Sequence, residues 1–272
     1  GRRDPDHALF PYYTDDRIHD SHDITGSKTL LLVEKQGKTF LWQPLSRQYE
    51  NLYKTERVLY KNDISHQVTF REINLDLELI FEYTWTSCDR YGFVKKSRIV
   101  NPAAEPASIR ILDGIQNILP YGADQAFQNQ FSTLLDAYKR NELMQETGLG
   151  LYTLSSIPTD KAEPNEALKA TTVWSCGLKY DTILLSSQQL AAFCNGEPVT
   201  PETLVKAERG AYFLHSEFVL AADADSSWSI IAELNQDQCD VAGLRQLLNS
   251  DTDRAALIEK EIDHDRENLR RK

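Results

Sequence analysis

Residues 74–86, NLDLELIFEYTWT, constrain the fold more than any other stretch of the chain. Leu75, Leu77, Leu79, Phe81, Tyr83 and Trp85 alternate with mostly polar neighbours. A period of two puts one face in a core and the other toward water, which predicts an antiparallel strand. Weaker runs of the same kind recur at 29–33, 39–43, 67–73, 93–100, 108–118, 150–155, 168–178, 182–186, 211–222 and 227–235. Turn-forming stretches such as EKQGK, NPAAEP, CNGEP and AADADSS separate several of them. Many strands on short connections predict a mainly β chain, a sandwich or barrel.

Helical spacing interrupts this pattern in three places. Over 123–142, Ala123, Phe127, Phe131, Leu134, Leu135 and Tyr138 form one stripe. A short helix is expected over 237–249 and a charged one over 252–271, where Ile258, Ile262 and Leu269 form a narrow seam. So thin a seam must pack on this domain or lead into another.

With 272 residues, 41% of them hydrophobic, the chain is long enough for one large β domain. The net charge of −11 repels phosphate backbones, so nucleic acid is not an expected partner. No apolar run has the length of a membrane span. Cys88, Cys176, Cys194 and Cys239 form no CxxC pair. Free thiols in a reduced cytoplasm are the expectation, with two disulfides as the alternative. Met144 is the sole methionine, and the last helical pattern lacks a closing Gly or Pro, so the chain reads as cut from something longer.

Three groups of residues could carry chemistry. In DDRIHDSHD, Asp15, His19, His22 and Asp23 are metal-ligand types at short spacing, but Ile18 is the lone apolar residue beneath them. A polar loop is the simpler reading, because metal ligands need packed support. Asp160, Glu163 and Glu166 offer paired carboxylates for acid–base work or a solvated loop face. His215 and Glu217 share a strand face, and with Glu233 they supply a His/Glu acid–base set. For sugar contacts, Trp42 and Trp174 offer rings, and LDGIQNILPYG offers Asp113, Gln116, Asn117 and Tyr121 at a strand end. For either tryptophan the core is the more usual place in a sandwich. No GxGxxG, Walker, GxSxG or HExxH motif is present, and no cofactor is expected.

The run YGFVKKSRIVNPAAEPASIRILDGIQNILPYG, preceded by FLWQPLSRQYENLYKTERVLYKNDISHQVTFREI, resembles the amino-terminal sandwich of glycoside hydrolase family 94, the cellobiose and chitobiose phosphorylase group. The resemblance implies a large two-sheet antiparallel super-sandwich, similar to galactose mutarotase, followed by a helical linker and an (α/α)6 barrel. In that family the general acid and the phosphate-binding residues sit in the barrel, so no catalytic residue carries over to this chain. The expected organisation is a polar lead-in at 1–26, the sandwich at 27–250 and a linker at 251–272. The expected role is that of a non-catalytic, carbohydrate-associated domain in the cytoplasm. Its expected partners are a carbohydrate and the helical catalytic domain of the same parent, and a homodimer is compatible. The alternatives are a free-standing mutarotase-like epimerase and an assembly module.

Overall fold

A computed structural model describes residues 7–11, 20–156 and 168–271. Fourteen strands form two antiparallel sheets among the described residues. In chain order they are β1 (Gly26–Lys35), β2 (Lys38–Trp42), β3 (Thr55–Lys61), β4 (Val68–Asn74), β5 (Leu79–Cys88), β6 (Gly92–Asn101), β7 (Ala107–Ile118), β8 (Lys139–Met144), β9 (Leu149–Leu154), β10 (Ala170–Cys176), β11 (Thr182–Leu184), β12 (Leu204–Lys206), β13 (Gly210–Leu220) and β14 (Ala224–Gln236). The smaller sheet has the order β11-β13-β7-β1-β2, and the larger has β12-β8-β9-β10-β14-β6-β5-β4-β3.

The inner faces of the two sheets meet in one apolar layer that includes Leu31, Phe81, Ile99, Ile111, Leu214 and Ile230. Alternation explains the layer. On β1, Leu31 and Val33 point into it, while Leu30 and Leu32 pack outward against α2 (Leu190–Cys194) through Phe193. The nine-stranded sheet is the wider one; its β4 meets the edge strand β2 through the bond from Trp42 to Glu72, and its own edge strand β3 is exposed along most of its length.

Two sequence expectations need correction. Residues 74–86 are not one strand. The Asn74 side-chain oxygen accepts the backbone N–H groups of Asp76 and Leu77 at 3.2 and 3.0 Å, and Glu78 takes φ 57°. This local turn beats the alternation and folds the run into the β4–β5 hairpin. The stretch 123–142 is not one helix either. It is α1 (Gln125–Phe131), a 3-10 segment Ser132–Tyr138, and then β8 (Lys139–Met144). Ala123 and Leu135 are buried with Leu119 and Leu154, so the apolar stripe is real although the helix is not continuous.

The ends of the chain pack on the sandwich. Leu9 is buried in the inter-sheet core, and its carbonyl accepts the Leu119 N–H at 2.9 Å. The helix α3 (Gln238–Leu248) opens on a reciprocal cap, with Asp237 accepting from Cys239 and Asp240 while Asp240 accepts from Asp237. The long helix α4 (Arg254–Arg271) buries Ile258 and Ile262 against Cys88, Tyr91, Val94 and Trp174 on the outer face of the nine-stranded sheet. Ile258 and Ile262 of the narrow seam therefore pack on this domain, while Leu269, its third residue, is exposed.

Candidate functional site

The site is built by strand register. Phe70 on β4 sits opposite Tyr83 on β5, Tyr83 opposite Ser97 on β6, and Ser97 opposite Trp228 on β14. One inward-facing row thus runs from the partly buried Phe70 and Tyr83 to Trp228 in the core. At its open end the Phe70 and Tyr83 rings stack, with centroids 5.1 Å apart and planes at 28°. Trp85, two residues on, lies on the same face and donates its indole N–H to Ser27 Oγ at 2.9 Å.

Deeper along the row, Asp113 from β7 reaches across the gap between the sheets. One carboxylate oxygen accepts from Thr29 Oγ1 at 2.6 Å and from Lys95 Nζ at 2.5 Å. The other accepts from Ser97 Oγ at 2.9 Å and from Trp228 Nε1 at 2.7 Å. Asp113 and Lys95 are both wholly buried. The Lys95 ammonium also lies 5.4 Å from the centre of the Tyr83 ring. Burial lowers the Lys95 ammonium from its ordinary value, and Asp113 pulls it back. Burial also pushes the Tyr83 hydroxyl up to about 12, against a hydrogen bond with Ser27. A second buried carboxylate, Glu72, clamps the mouth. It accepts from Trp42 Nε1 at 2.8 Å, from the Leu45 N–H at 2.8 Å and from Arg57 Nε at 2.7 Å. Leu45 has φ 63°, so this contact holds a strained turn, and with it residues 43–47, at the rim.

Between the rim and the aromatic row lies a cleft of about 520 Å³. Trp85, Tyr83 and Phe70 line one side and Gln43, Ser46 and Arg47 another, with His22 and Asp23 at the edge. His22 Nε2 stands 3.2 Å from an Asp23 carboxylate oxygen. A larger groove of about 750 Å³ lies between α3 and the strands beside it, but its lining, with Leu151, Leu168 and Val241, includes no aromatic ring.

The residues singled out in the sequence fall as follows. Trp42 and Trp174 are each 1% exposed, Trp42 in the inter-sheet core and Trp174 under α4, so neither can stack on a ligand. Asp113 is the wholly buried hub between the sheets, taken up by four side-chain donors. Gln116 reaches the cleft margin, and its amide is held by the Asp23 carbonyl and the Ser187 hydroxyl. Asn117 is buried against Thr25, and Tyr121 stacks on His7 with centroids 4.2 Å apart. His215 and Glu217 do approach, at 3.7 Å, but His215 faces Phe193 on the outer side of the smaller sheet. Glu233 belongs to the other sheet and shares the outward parity of Ile231, so the structure does not join it to that pair. Asp15 and His19 lie outside the described residues, as do Asp160, Glu163 and Glu166. No group of three or more His, Cys, Asp or Glu stands ready for a metal among the described residues. All four cysteines are free. No described helix is long and apolar enough to cross a membrane.

The pieces that define the cleft escaped the sequence reading. Phe70, Gln43, Arg47 and Glu72 carried no motif of their own. The one available signal was the aromatic spacing Tyr83–Trp85 at the end of the alternating run.

The fold and cleft define a two-sheet antiparallel super-sandwich with an aromatic-lined opening on the wider sheet. No protein-family model and no curated protein matches the sequence. Among solved structures, the chain is similar to a bacterial glucoamylase complexed with acarbose, at 10% identity and a TM-score of 0.49, over 87% of this chain and 30% of that one. It is also similar to a human-microbiome protein designated a kojibiose phosphorylase, at 12% identity and a TM-score of 0.43, over 86% and 26%. A polysaccharide lyase matches at 12% identity and a TM-score of 0.36, over 78% and 26%. The chain thus spans less than a third of the length of each.

Proposed function

We propose that this chain is a carbohydrate-binding super-sandwich domain of a larger carbohydrate-active protein, and that it binds sugar without acting on it. The observation that carries this reading is the Trp85 and Phe70–Tyr83 platform in an open cleft. The flat C–H faces of a pyranose stack on such rings, and polar rim groups bond its hydroxyls. The two buried carboxylates beside the cleft hold structure together. Asp113 takes four side-chain donors and Glu72 takes three donors, which leaves neither free to move a substrate proton. The support role beside a helical catalytic domain belongs to the same proposal.

Calorimetric titration of the purified chain with glucose, maltose and cellobiose tests it. Saturable binding is expected, weakened roughly tenfold or more by Trp85→Ala, since losing an aromatic contact of 1.4 kcal/mol or more has that effect. Absence of binding to any of these and to their charged derivatives would sink the proposal. A second reading, ring-opening and closure of a free sugar at the same cleft, is favoured by the His22–Asp23 approach at 3.2 Å. Polarimetry decides it. Acceleration of glucose mutarotation that His22→Gln abolishes would replace a binding role with an enzymatic one.

A further inference from the structure

We propose that the cleft takes a saccharide bearing a negative charge, a glycosyl carboxylate or phosphate, whose anion meets Arg47 and whose neighbouring hydroxyl meets Gln43. The inference rests on the reading of the cleft as a sugar site and goes on to name the sugar's class.

Two side chains on the QPLSR rim carry it. Gln43 is 7% exposed and lines the cleft, yet its amide makes no hydrogen bond among the described residues. Its polar atoms are also absent from those sealed off without a partner, so they keep an outlet, and the cleft they line provides it. A nearly buried amide left unpaired costs free energy unless water or a ligand satisfies it. Arg47, exposed at the rim, lines the same cleft, and its guanidinium makes no ion pair or hydrogen bond among the described residues; the cleft's other cation, Lys28, donates to the Asp23 carbonyl at 3.1 Å. By contrast, its neighbour Arg57 is fully engaged, with Glu72 at 2.7 Å, Glu50 at 3.0 Å and the Ser46 carbonyl at 2.8 Å. Glu72 and Glu50 are thus committed to Arg57, and Asp23, the acid that lines the cleft, stands 3.2 Å from His22. The rim therefore presents one planar cation with no protein anion and one amide with no protein partner, beside a stacking platform. Guanidinium groups bind carboxylate and phosphate in paired, charge-assisted geometry. A neutral sugar would satisfy Gln43 and the rings but would leave Arg47 without an anion.

The protein's net charge of −11 opposes an anionic ligand at long range. At physiological salt that field is screened beyond about 8 Å, so the contact with Arg47 decides.

The test is calorimetry in 150 mM salt with glucose, glucuronate, glucose 6-phosphate and inorganic phosphate, on the native chain, Arg47→Gln and Trp85→Ala. Glucuronate or glucose 6-phosphate is expected to bind roughly tenfold tighter than glucose, about one charge-assisted hydrogen bond's worth. Whichever charged sugar gains identifies the anion. Arg47→Gln should bring that ratio near one, and Trp85→Ala should weaken the charged sugar as well. Equal affinity for glucose and both charged sugars overturns the inference while the sugar site stands. Inorganic phosphate binding as tightly as glucose 6-phosphate, insensitive to Trp85→Ala, overturns it in favour of a bare anion site. Binding of none of the four removes the inference and the sugar site together.

Discussion

Replacing Asp113 by asparagine leaves Lys95 as a buried cation without its anion, and the loss of one partner from such a pair costs about 3–5 kcal/mol. The double variant Asp113→Asn, Lys95→Met removes both charges while the amide oxygen keeps an acceptor for the buried donors Trp228 and Ser97, and is expected to recover part of that loss. Urea denaturation of the three proteins checks both expectations. His215 gives a pH test. Burial, the largest influence, lowers its pKa from the ordinary 6.5, with Glu217 and Asp181 pulling it up and Arg110 pushing it down. The folded protein therefore binds that proton less readily than the unfolded chain. The sign follows: the His215 contribution is full above pH 6.5 and is lost as pH falls through 6.5 toward the lower folded value. His215→Gln should flatten the change in urea midpoint between pH 7.5 and 5.5. At this scale the sequence was a partial guide. It favoured the core for Trp42, where the ring lies, but it offered Asp113 as a sugar contact, and burial turned that carboxylate inward. Burial depends on what the opposite sheet brings, and spacing along one strand does not carry that information.

Among the elements, α4 tests whether the chain's last helix belongs to the sandwich. Ile262→Ala removes a 1% exposed side chain from the layer with Tyr91 and Trp174, and is expected to cost about 2–5 kcal/mol. Lys96→Ala breaks only the half-exposed pair with Glu259, and is expected to cost less than about 1 kcal/mol. Thermal melts of the two variants separate packing from surface charge as what holds the helix down. Ile258 and Ile262 of the seam were legible from spacing, and so was a helix over 237–249, whose cap at Asp237 only the structure shows. The division of 74–86 was not. Its alternation is continuous, and the turn depends on Asn74 bonding the backbone two and three residues on. The aromatic stripe at 123–138 likewise predicted a helix, but the chain leaves helical geometry at Tyr138 to supply β8 to the sheet edge.

Across the whole molecule, two polar clusters tie the sheets together. Asp113 spans the centre, and Glu72 joins β2 of the smaller sheet, through Trp42, to β4 of the larger one. Glu72→Gln weakens the bond to Arg57 and the hold on Leu45. Hydrogen exchange at residues 43–47 is expected to quicken while exchange in β7 and β14 stays slow, because the rim opens locally when its anchor weakens. Unchanged exchange at the rim would show that the turn holds itself.

By itself the sequence determined the class of fold. Alternating hydrophobicity, turn chemistry and the thin helical seam of 252–271 are local properties, and each residue's neighbours in the chain suffice to express them. The cleft was decided by tertiary structure. It exists because cross-strand register sets Phe70 beside Tyr83 and because the 43–47 rim, with Gln43 and Arg47, is held opposite them. A buried glutamate more than twenty residues from Gln43 and Arg47 in the chain then holds their rim in place. Those relations join residues distant in sequence, and only folding brings them within reach of one ligand.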